Sequence, residues 1–272
     1  MITTSLGKTL GAEISGIDLS QPLSDSELAA LKQAWLDHKV IAVRGLNLSE
    51  DEQQRFCSYF GEIAGLKSKK SDSKFLFVAN EELPDKTTAV QAGEMMYHID
   101  QCYAERPSKA STLYSMVIPD EGGNTRFADC EAAYAALDDE TRAKLVGRTA
   151  LNYFDYEESA TMRVAEIKPT APQFSHPIVR THPETGRKGL FVNRQMTMRI
   201  DGMDQAESDA LLNTLFDALE APENVYEHEW RVGDLVLWDN RCTAHSRTYY
   251  DPAKTRLLRR MTILDESPVL AA

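Results

Sequence analysis

Short apolar runs rich in β-branched residues predict strands along the whole chain. They occur in the segments KVIAVRGL, STLYSMVIP and DLVLWD, each with the length and composition of a strand buried in a sheet. Because strand and helix do not alternate regularly, the pattern argues against a doubly wound parallel sheet.

Three segments have the periodicity of amphipathic helices. In SDSELAALKQAWLDH, Ser24 and Glu27 form a capping box, and Ser49 and Glu52 repeat it in LSEDEQQRFCSYFGEI. The segment GMDQAESDALLNTLFDALEAP predicts a helix of about five turns that Pro222 ends. The pattern therefore predicts a mostly β domain with flanking helices (α+β).

Composition limits the partners. The formal charge of -12 and the pI near 5.0 disfavour nucleic acid and anionic membranes as partners.

No break in composition divides the chain, so we expect one domain over residues 1–272. The N-terminus lacks a signal-peptide pattern, and no stretch of about 18 apolar residues predicts a membrane span.

The four cysteines predict the redox compartment. Their spacing contains no C-x-x-C pair and no zinc-ribbon pattern. In a chain of this length, reduced thiols are a better prediction than a disulfide framework. We therefore expect a cytoplasmic protein.

The segment YHID places His98 and Asp100 two residues apart. If it is a strand, the two side chains lie on the same face. One imidazole nitrogen and one carboxylate oxygen suit a first-row transition metal. The alternative is a hydrogen-bonded structural pair, and a metal would need a third ligand from elsewhere.

Among the other histidines, His245 differs because it follows a buried-looking strand and a short polar turn in GDLVLWDNRCTAH. We expect His38 to end a helix, and His176 and His182 to belong to strand and turn structure because each precedes a proline. His228, within YEHEW, is expected to be exposed.

Three arginines, Arg256, Arg259 and Arg260, are close together near the end of this acidic chain. In a strand, Arg256 and Arg260 share one face and Arg259 lies on the other. One interpretation is an exposed strand with solvated arginines. The other is buried arginines that need anions. A spacing of about 13 Å along a strand then indicates two separate anions in one cavity.

Six blocks resemble, in order, the Fe(II)/2-oxoglutarate-dependent dioxygenases of the taurine dioxygenase (TauD/TfdA) family. They are LGAEISGIDLSQPLS, YHID, GGNTRFAD, HPIVRTHPETGRKGLFVN, WDNRCTAH and RRMTIL, spread over nearly the whole chain. The resemblance implies a double-stranded β-helix, or jelly roll. It also implies iron ligands His98, Asp100 and His245, a facial triad that leaves room for 2-oxoglutarate and O₂.

The resemblance also assigns the cofactor and substrate anions. Thr125 and Arg256 match the family's residues for the far carboxylate of 2-oxoglutarate, and Arg260 matches the residue that binds the substrate anion. The implied reaction hydroxylates a C–H bond of a small organic substrate and releases succinate and CO₂. Candidate substrates are an alkyl sulfonate, a sulfate ester, an aryloxy acid or an amino-acid-like carboxylate.

Departures from the family pattern indicate a substrate other than taurine. Glu94 stands where taurine-acting members have an amide, and Gln101 follows Asp100 where many relatives have a small or apolar residue. Met196 stands where an aromatic often lines the cavity, and Tyr103 is a further pocket candidate. For Glu94 the alternative is surface exposure, and for Met196 and Tyr103 it is ordinary packing.

Two polar stretches, residues 64–74 and 151–172, are candidate lids. The first contains Lys67, Lys69 and Lys70, a possible source of positive charge where taurine-type members have a histidine. A catalytically silent 2-oxoglutarate or metal sensor is the main alternative function. A zinc hydrolase lacks an obvious glutamate base and does not explain Arg256. By the resemblance, we expect a homodimer or homotetramer.

Overall fold

A computed structural model describes residues 1–65, 74–83, 86, 88–90, 93–155 and 166–272. The predictions for Lys67, Lys69 and Lys70, and for the central parts of both candidate lids, lie outside these residues. The helices are α1 (Asp25–His38), α2 (Glu50–Ser58), α3 (Cys130–Ala136), α4 (Asp139–Leu145) and α5 (Gln205–Leu219).

Strands make up most of the regular structure. In chain order they are β1 (Ile2–Ser5), β2 (Ala12–Ser15), β3 (Val40–Val43), β4 (Leu76–Ala79), β5 (Thr88–Val90), β6 (Met95–His98), β7 (Ser108–Val117), β8 (Thr125–Asp129), β9 (Thr149–Tyr153), β10 (Gln173–Pro177), β11 (Val179–Thr181), β12 (Lys188–Leu190), β13 (Thr197–Ile200), β14 (Val225–His228), β15 (Leu235–Asp239), β16 (Thr243–Arg247), β17 (Leu257–Leu264) and β18 (Leu270–Ala271). The prediction of a mostly β fold with flanking helices is confirmed.

Two sheets build the centre of the molecule. The larger has the order β1-β2-β3-β15-β7-β17-β4-β5, and the smaller has the order β14-β8-β16-β6. Pairing is antiparallel except between β2 and β3 and between β4 and β5. Two further sheets have the orders β10-β9-β13 and β12-β11-β18.

One apolar layer lies between the larger sheet and the four-stranded sheet. The larger sheet contributes Leu113, Trp238 and Leu258, and the four-stranded sheet contributes Phe127 and Tyr226. Burial of these side chains is the main stabilising term for the pair of sheets, at about 25 cal/mol per Å² of apolar surface. The inner faces of both sheets therefore define one shared interior.

Helices cover the outer faces. Leu31 and Trp35 of α1 and Phe56 of α2 pack on the back of the larger sheet. Leu215 and Phe216 of α5 pack with α3 in a separate cluster behind the four-stranded sheet. The described helices and strands thus form a sandwich with helices outside it.

The predicted starts were right for the first two helices and too early for the last one. Both capping boxes form as predicted, with Ser24 and Ser49 as N-caps. The second helix ends at Ser58, inside the segment LSEDEQQRFCSYFGEI that predicted it. The last helix begins only at Gln205, because the Asp204 side chain caps the Ala206 N–H, so it is shorter than predicted.

Two further predictions concern cysteines and membranes. All four cysteines are buried free thiols, as expected. None of the helices in the described ranges combines the length and apolarity needed to cross a bilayer.

Candidate metal and cofactor site

Two imidazoles lie side by side on the four-stranded sheet. His98 ends β6 and His245 lies in the middle of β16, and the two residues are direct cross-strand partners. Their ring centroids are 4.0 Å apart, and both side chains are buried. Paired residues point to the same face of a sheet, so both imidazoles are presented together.

Asp100 reaches the imidazoles from a turn. The strand β6 ends at His98, so the predicted strand alternation between His98 and Asp100 is wrong. Asn240 holds the turn instead: its Oδ1 accepts the Asp100 N–H at 2.9 Å, and its Nδ2 donates to the Asp100 carbonyl at 2.9 Å. The next residue, Gln101, has φ 56°. Asn240, the residue after β15, therefore positions Asp100, which was expected to be positioned by a continuing strand.

The two oxygens of the Asp100 carboxylate face different partners. Oδ1 lies 3.8 Å from Nε2 of His98 and 3.8 Å from Nε2 of His245. Oδ2 accepts a hydrogen bond from Ser111 Oγ at 2.8 Å and lies 2.5 Å from the Arg260 guanidinium. Three potential ligand atoms thus lie within 4.8 Å of one another, while the other carboxylate oxygen is fixed from the larger sheet.

Protonation states in the triad suit a metal. His98 Nδ1 is 3.0 Å from the Met96 carbonyl, so Nδ1 carries the proton and Nε2 keeps a lone pair. Burial lowers the pKa of His98, and burial together with His98 lowers the pKa of His245. Burial alone would raise the pKa of Asp100, but Arg260 and the two histidines outweigh it and lower it. Two neutral imidazoles and one carboxylate are the forms that bind metal.

Ser111 orients the carboxylate, and sequence reasoning missed it. A serine within a strand carries no signal of this role, since the partner Asp100 is supplied by another element. Replacing Ser111 with alanine frees Oδ2 from one of its two partners. We expect metal affinity to fall about 10- to 100-fold, the usual effect of losing a hydrogen-bond partner of a metal ligand.

Isothermal titration with Mn(II) tests this expectation, and Ser115→Ala is the matched control. Ser115 lies on the same strand, but its hydroxyl donates to the Arg231 carbonyl, away from the triad. The control should keep the metal affinity of the original protein. Equal metal affinities for the two variants would show that Ser111 does not orient Asp100.

Thr125 and Arg256 both lie next to a glycine turn. Thr125 begins β8, directly after the segment that contains Gly123, and Arg256 Nε donates to the Gly123 carbonyl at 3.0 Å. Gly123 has φ +69°, and a Cβ there would come within 3.0 Å of Arg256 Nε. Only glycine therefore permits this close approach.

Arg256 is a buried cation without a counter-ion. It is 3% exposed, its guanidinium lies 5.9 Å from the Tyr250 ring centroid, and no carboxylate of the described residues lies within ion-pair distance. Burial, and then repulsion from Arg247, lowers the pKa of Arg256. Of the two interpretations of the arginine cluster, burial is the one that holds for Arg256, and a buried arginine needs an anion.

The other two arginines of the cluster lie on opposite faces of β17, as predicted. Arg260 faces the interior beside Asp100, and its Nε is buried with no hydrogen-bond partner among the described residues. Arg259 faces α2, where its Nε donates to Gln53 Oε1 at 2.6 Å. Arg256 precedes β17, so strand spacing does not set its distance from Arg260.

The remaining predicted pocket residues are spread around the turn. Tyr103 is half-buried and stacks on Phe154, with ring centroids 5.0 Å apart and planes 12° apart. Gln101 is half-buried and Glu94 is exposed. Met196 is buried in the core behind the site, with its Sδ 3.5 Å from Cys102 Sγ. Their roles in substrate binding stay predictions.

His228 is buried, so the prediction of an exposed side chain is wrong. Its Nε2 lies 3.1 Å from Asp234 Oδ2, and its Nδ1 lies 2.9 Å from the Tyr226 hydroxyl. The local sequence is charged, but Asp234, which satisfies the ring, is placed there by the turn before β15. The burial therefore depends on tertiary structure that the sequence pattern does not reveal.

A second group, His182, Asp239 and Cys242, also brings three potential metal ligands together. Here the Asp239 carboxylate is already bound by Arg241, at 2.8 and 2.7 Å. His182 Nδ1 accepts a hydrogen bond from the Thr185 N–H, with an N···N distance of 3.1 Å. His182 Nε2 lies 3.0 Å from Asp239 Oδ2. Both ring nitrogens are used, so the group is a structural network.

A protein-family model described as taurine catabolism dioxygenase TauD, TfdA family, matches residues 3–262. The chain belongs to this family. It is 36% identical to the (S)-phenoxypropionate/alpha-ketoglutarate-dioxygenase of Delftia acidovorans, over 91% of this chain and 89% of that protein. It is 32% identical to the alpha-ketoglutarate-dependent 2,4-dichlorophenoxyacetate dioxygenase of Cupriavidus pinatubonensis, over 99% of each.

A solved structure is also similar to this chain over its whole length. The crystal structure of AAD-2 in complex with Mn(II) and N-oxalylglycine superimposes with a TM-score of 0.82 and 29% identity, covering 99% of this chain and all of that one (100%). The jelly-roll prediction is thereby confirmed.

The family also fixes the reaction class. The chain is an alpha-ketoglutarate-dependent dioxygenase that acts on a small molecule, with 2-oxoglutarate, a metal ion and O₂ as cofactors and co-substrates. This finding favours the enzyme over the silent sensor. It confirms the expected reaction class.

Proposed function

We propose that this dioxygenase uses Fe(II) to hydroxylate an aryloxyalkanoic acid at the carbon that carries the ether oxygen. The observation that carries the proposal is the position of Arg260 beside Asp100: its side chain is 19% exposed, and its Nη2 contacts Asp100 and Ser111. A carboxylate bound there would lie next to the metal ligands.

The donor set supports iron as the metal. His98, His245 and Asp100 supply two nitrogens and one oxygen from one side, the pattern of non-haem Fe(II) oxygenases. The hydrogen bond from His98 Nδ1 to Met96, and the contacts of Asp100 Oδ2, fix the ligands before metal arrives. When bound, iron and 2-oxoglutarate would supply the oxidising chemistry together with O₂: one oxygen atom goes into succinate, formed with CO₂ from 2-oxoglutarate, and the other goes into the substrate.

The buried guanidinium of Arg256, next to Gly123, supports a binding position for 2-oxoglutarate beside it. Arg256 would bind the far carboxylate of 2-oxoglutarate through its terminal nitrogens, since Nε is used by the Gly123 carbonyl. The Thr125 hydroxyl would add a further hydrogen bond. Both residues are buried, so the contact is shielded from water and is correspondingly strong.

The comparisons support an aryloxy acid. Two relatives that match nearly the whole chain are named for (S)-phenoxypropionate and 2,4-dichlorophenoxyacetate. Arg260 is a partly exposed cation beside the triad and can pair with the substrate carboxylate. Hydroxylation next to the ether oxygen would give an unstable product that separates into a phenol and a 2-oxo acid. The chain's part is to hold the substrate so that this C–H bond faces the metal.

A substrate panel tests the proposal. Purified protein with Fe(II), 2-oxoglutarate and O₂ would be given (R)- and (S)-2-phenoxypropionate, phenoxyacetate, an alkyl sulfonate and an alkyl sulfate. We expect phenol and succinate in equal amounts from at least one aryloxy acid, with a kcat/KM at least about tenfold above that for either sulfur compound, a preference of about 1.4 kcal/mol.

The panel also distinguishes the main competing substrate class. Release of sulfite or sulfate at a higher kcat/KM than phenol would overturn the aryloxy proposal in favour of a sulfur-containing substrate. The expected homodimer or homotetramer and the cytoplasmic location stay predictions.

A further inference from the structure

The Thr125 hydroxyl has one hydrogen-bond partner among the described residues, the indole of Trp230. Trp230 Nε1 lies 3.0 Å from Thr125 Oγ1, and Trp230 and Thr125 are 7% and 3% exposed. An indole N–H can only donate, so Thr125 Oγ1 is the acceptor.

The hydrogen bond from Trp230 leaves the Thr125 hydroxyl free to donate its own proton. A threonine hydroxyl has one proton to donate, and no described residue accepts that of Thr125. With one lone pair occupied by Trp230, the proton points elsewhere. It is available for an anion held by Arg256, whose Nε binds the nearby Gly123 carbonyl.

The indole is itself held in place. Its ring packs edge-on against His228, with centroids 4.5 Å apart and planes 78° apart. His228 is fixed by Asp234, whose Oδ2 also accepts from Arg44 at 2.6 Å. The unexpected burial of His228 therefore serves to support Trp230.

We infer that Trp230 is a positioning residue for the 2-oxoglutarate site. It orients the Thr125 hydroxyl so that its proton is donated to the far carboxylate of 2-oxoglutarate. This inference rests on the cofactor positions given for Thr125 and Arg256 under the proposed function. It is independent of the identity of the substrate.

A double-mutant cycle on 2-oxoglutarate affinity tests the inference. Isothermal titration would measure the dissociation constant of 2-oxoglutarate for the Mn(II)-loaded protein and for Trp230→Phe, Thr125→Val and the double variant. We expect Trp230→Phe to weaken binding about tenfold, the effect of misdirecting one hydrogen bond to a charged group. On the Thr125→Val background the same change should have no further effect.

Two more variants separate the possible causes. Thr125→Ser keeps the hydroxyl and should keep both the affinity and its dependence on Trp230. In steady state, Trp230→Phe should raise the KM for 2-oxoglutarate and leave kcat nearly unchanged. Thermal unfolding of each variant checks that the fold is kept.

The outcomes distinguish this inference from the function it rests on. Unchanged affinity in Trp230→Phe, or an equal loss on both backgrounds, would overturn the positioning role. If Arg256→Gln also bound 2-oxoglutarate like the original protein, the proposed cofactor position itself would be wrong. Loss with Arg256→Gln alone would overturn only the role of Trp230.

Discussion

Replacing His98 with alanine is expected to lower metal affinity at least about 100-fold and to abolish succinate formation. His98 supplies one of the three potential ligand atoms that lie within 4.8 Å of one another. Its removal leaves one imidazole and one carboxylate, a set that no longer matches the facial triad. The loss should exceed the 10- to 100-fold effect typical of residues that only support a ligand.

His38→Ala is the matched control for this experiment. His38 is the last residue of α1 and is not one of the clustered ligands. Metal titration and succinate assays should leave it indistinguishable from the original protein. Retained 2-oxoglutarate turnover in His98→Ala would contradict the assignment of the metal site.

Replacing Arg256 with glutamine is expected to weaken 2-oxoglutarate binding at least about 30-fold. Losing one partner of a buried charge pair costs about 2–5 kcal/mol. In the protein without cofactor, Arg256 is desolvated and has no carboxylate partner among the described residues. The substitution should therefore leave the melting temperature of the cofactor-free protein unchanged or slightly higher.

Arg259→Gln is the informative comparison, because this neighbour has the opposite role. The Arg259 guanidinium donates to Gln53 and to the carbonyls of Leu48 and Ser49, at 2.6 to 3.0 Å. Losing these bonds should lower the free energy of unfolding by about 2–3 kcal/mol and leave 2-oxoglutarate affinity nearly unchanged. The assignment fails if Arg259→Gln loses the affinity and Arg256→Gln keeps it.

Local sequence signals predicted the parts of the fold that depend on neighbouring residues. The capping boxes at Ser24 and Ser49 formed as predicted because both partners of each box lie within four residues. The alternation of Arg259 and Arg260 across β17 was right for the same reason, since the period of a strand is local.

The predictions were wrong where residues distant in the sequence determine the position of a side chain. Asp100 was expected on a strand, but Asn240, 140 residues later, holds it in a turn. His228 was expected to be exposed because its neighbours are charged, yet Asp234 and Tyr226 satisfy its ring inside the molecule. Ser111 carried no signal at all.

The ligand set itself was predicted because the family's motifs place His98, Asp100, Thr125, His245 and Arg256 in register. The structure brings the first, second and fourth of these together as a cluster that could hold a metal ion. Substrate specificity depends on side chains around this cluster, and the motifs do not encode them.

The most direct test of the account is an anaerobic absorbance titration with Fe(II) and 2-oxoglutarate. We expect a weak visible charge-transfer band that needs both components, disappears in His98→Ala and shifts when an aryloxy acid is added. A protein that binds both components without the band, or a band that survives in His98→Ala, would contradict an iron centre built on His98, Asp100 and His245.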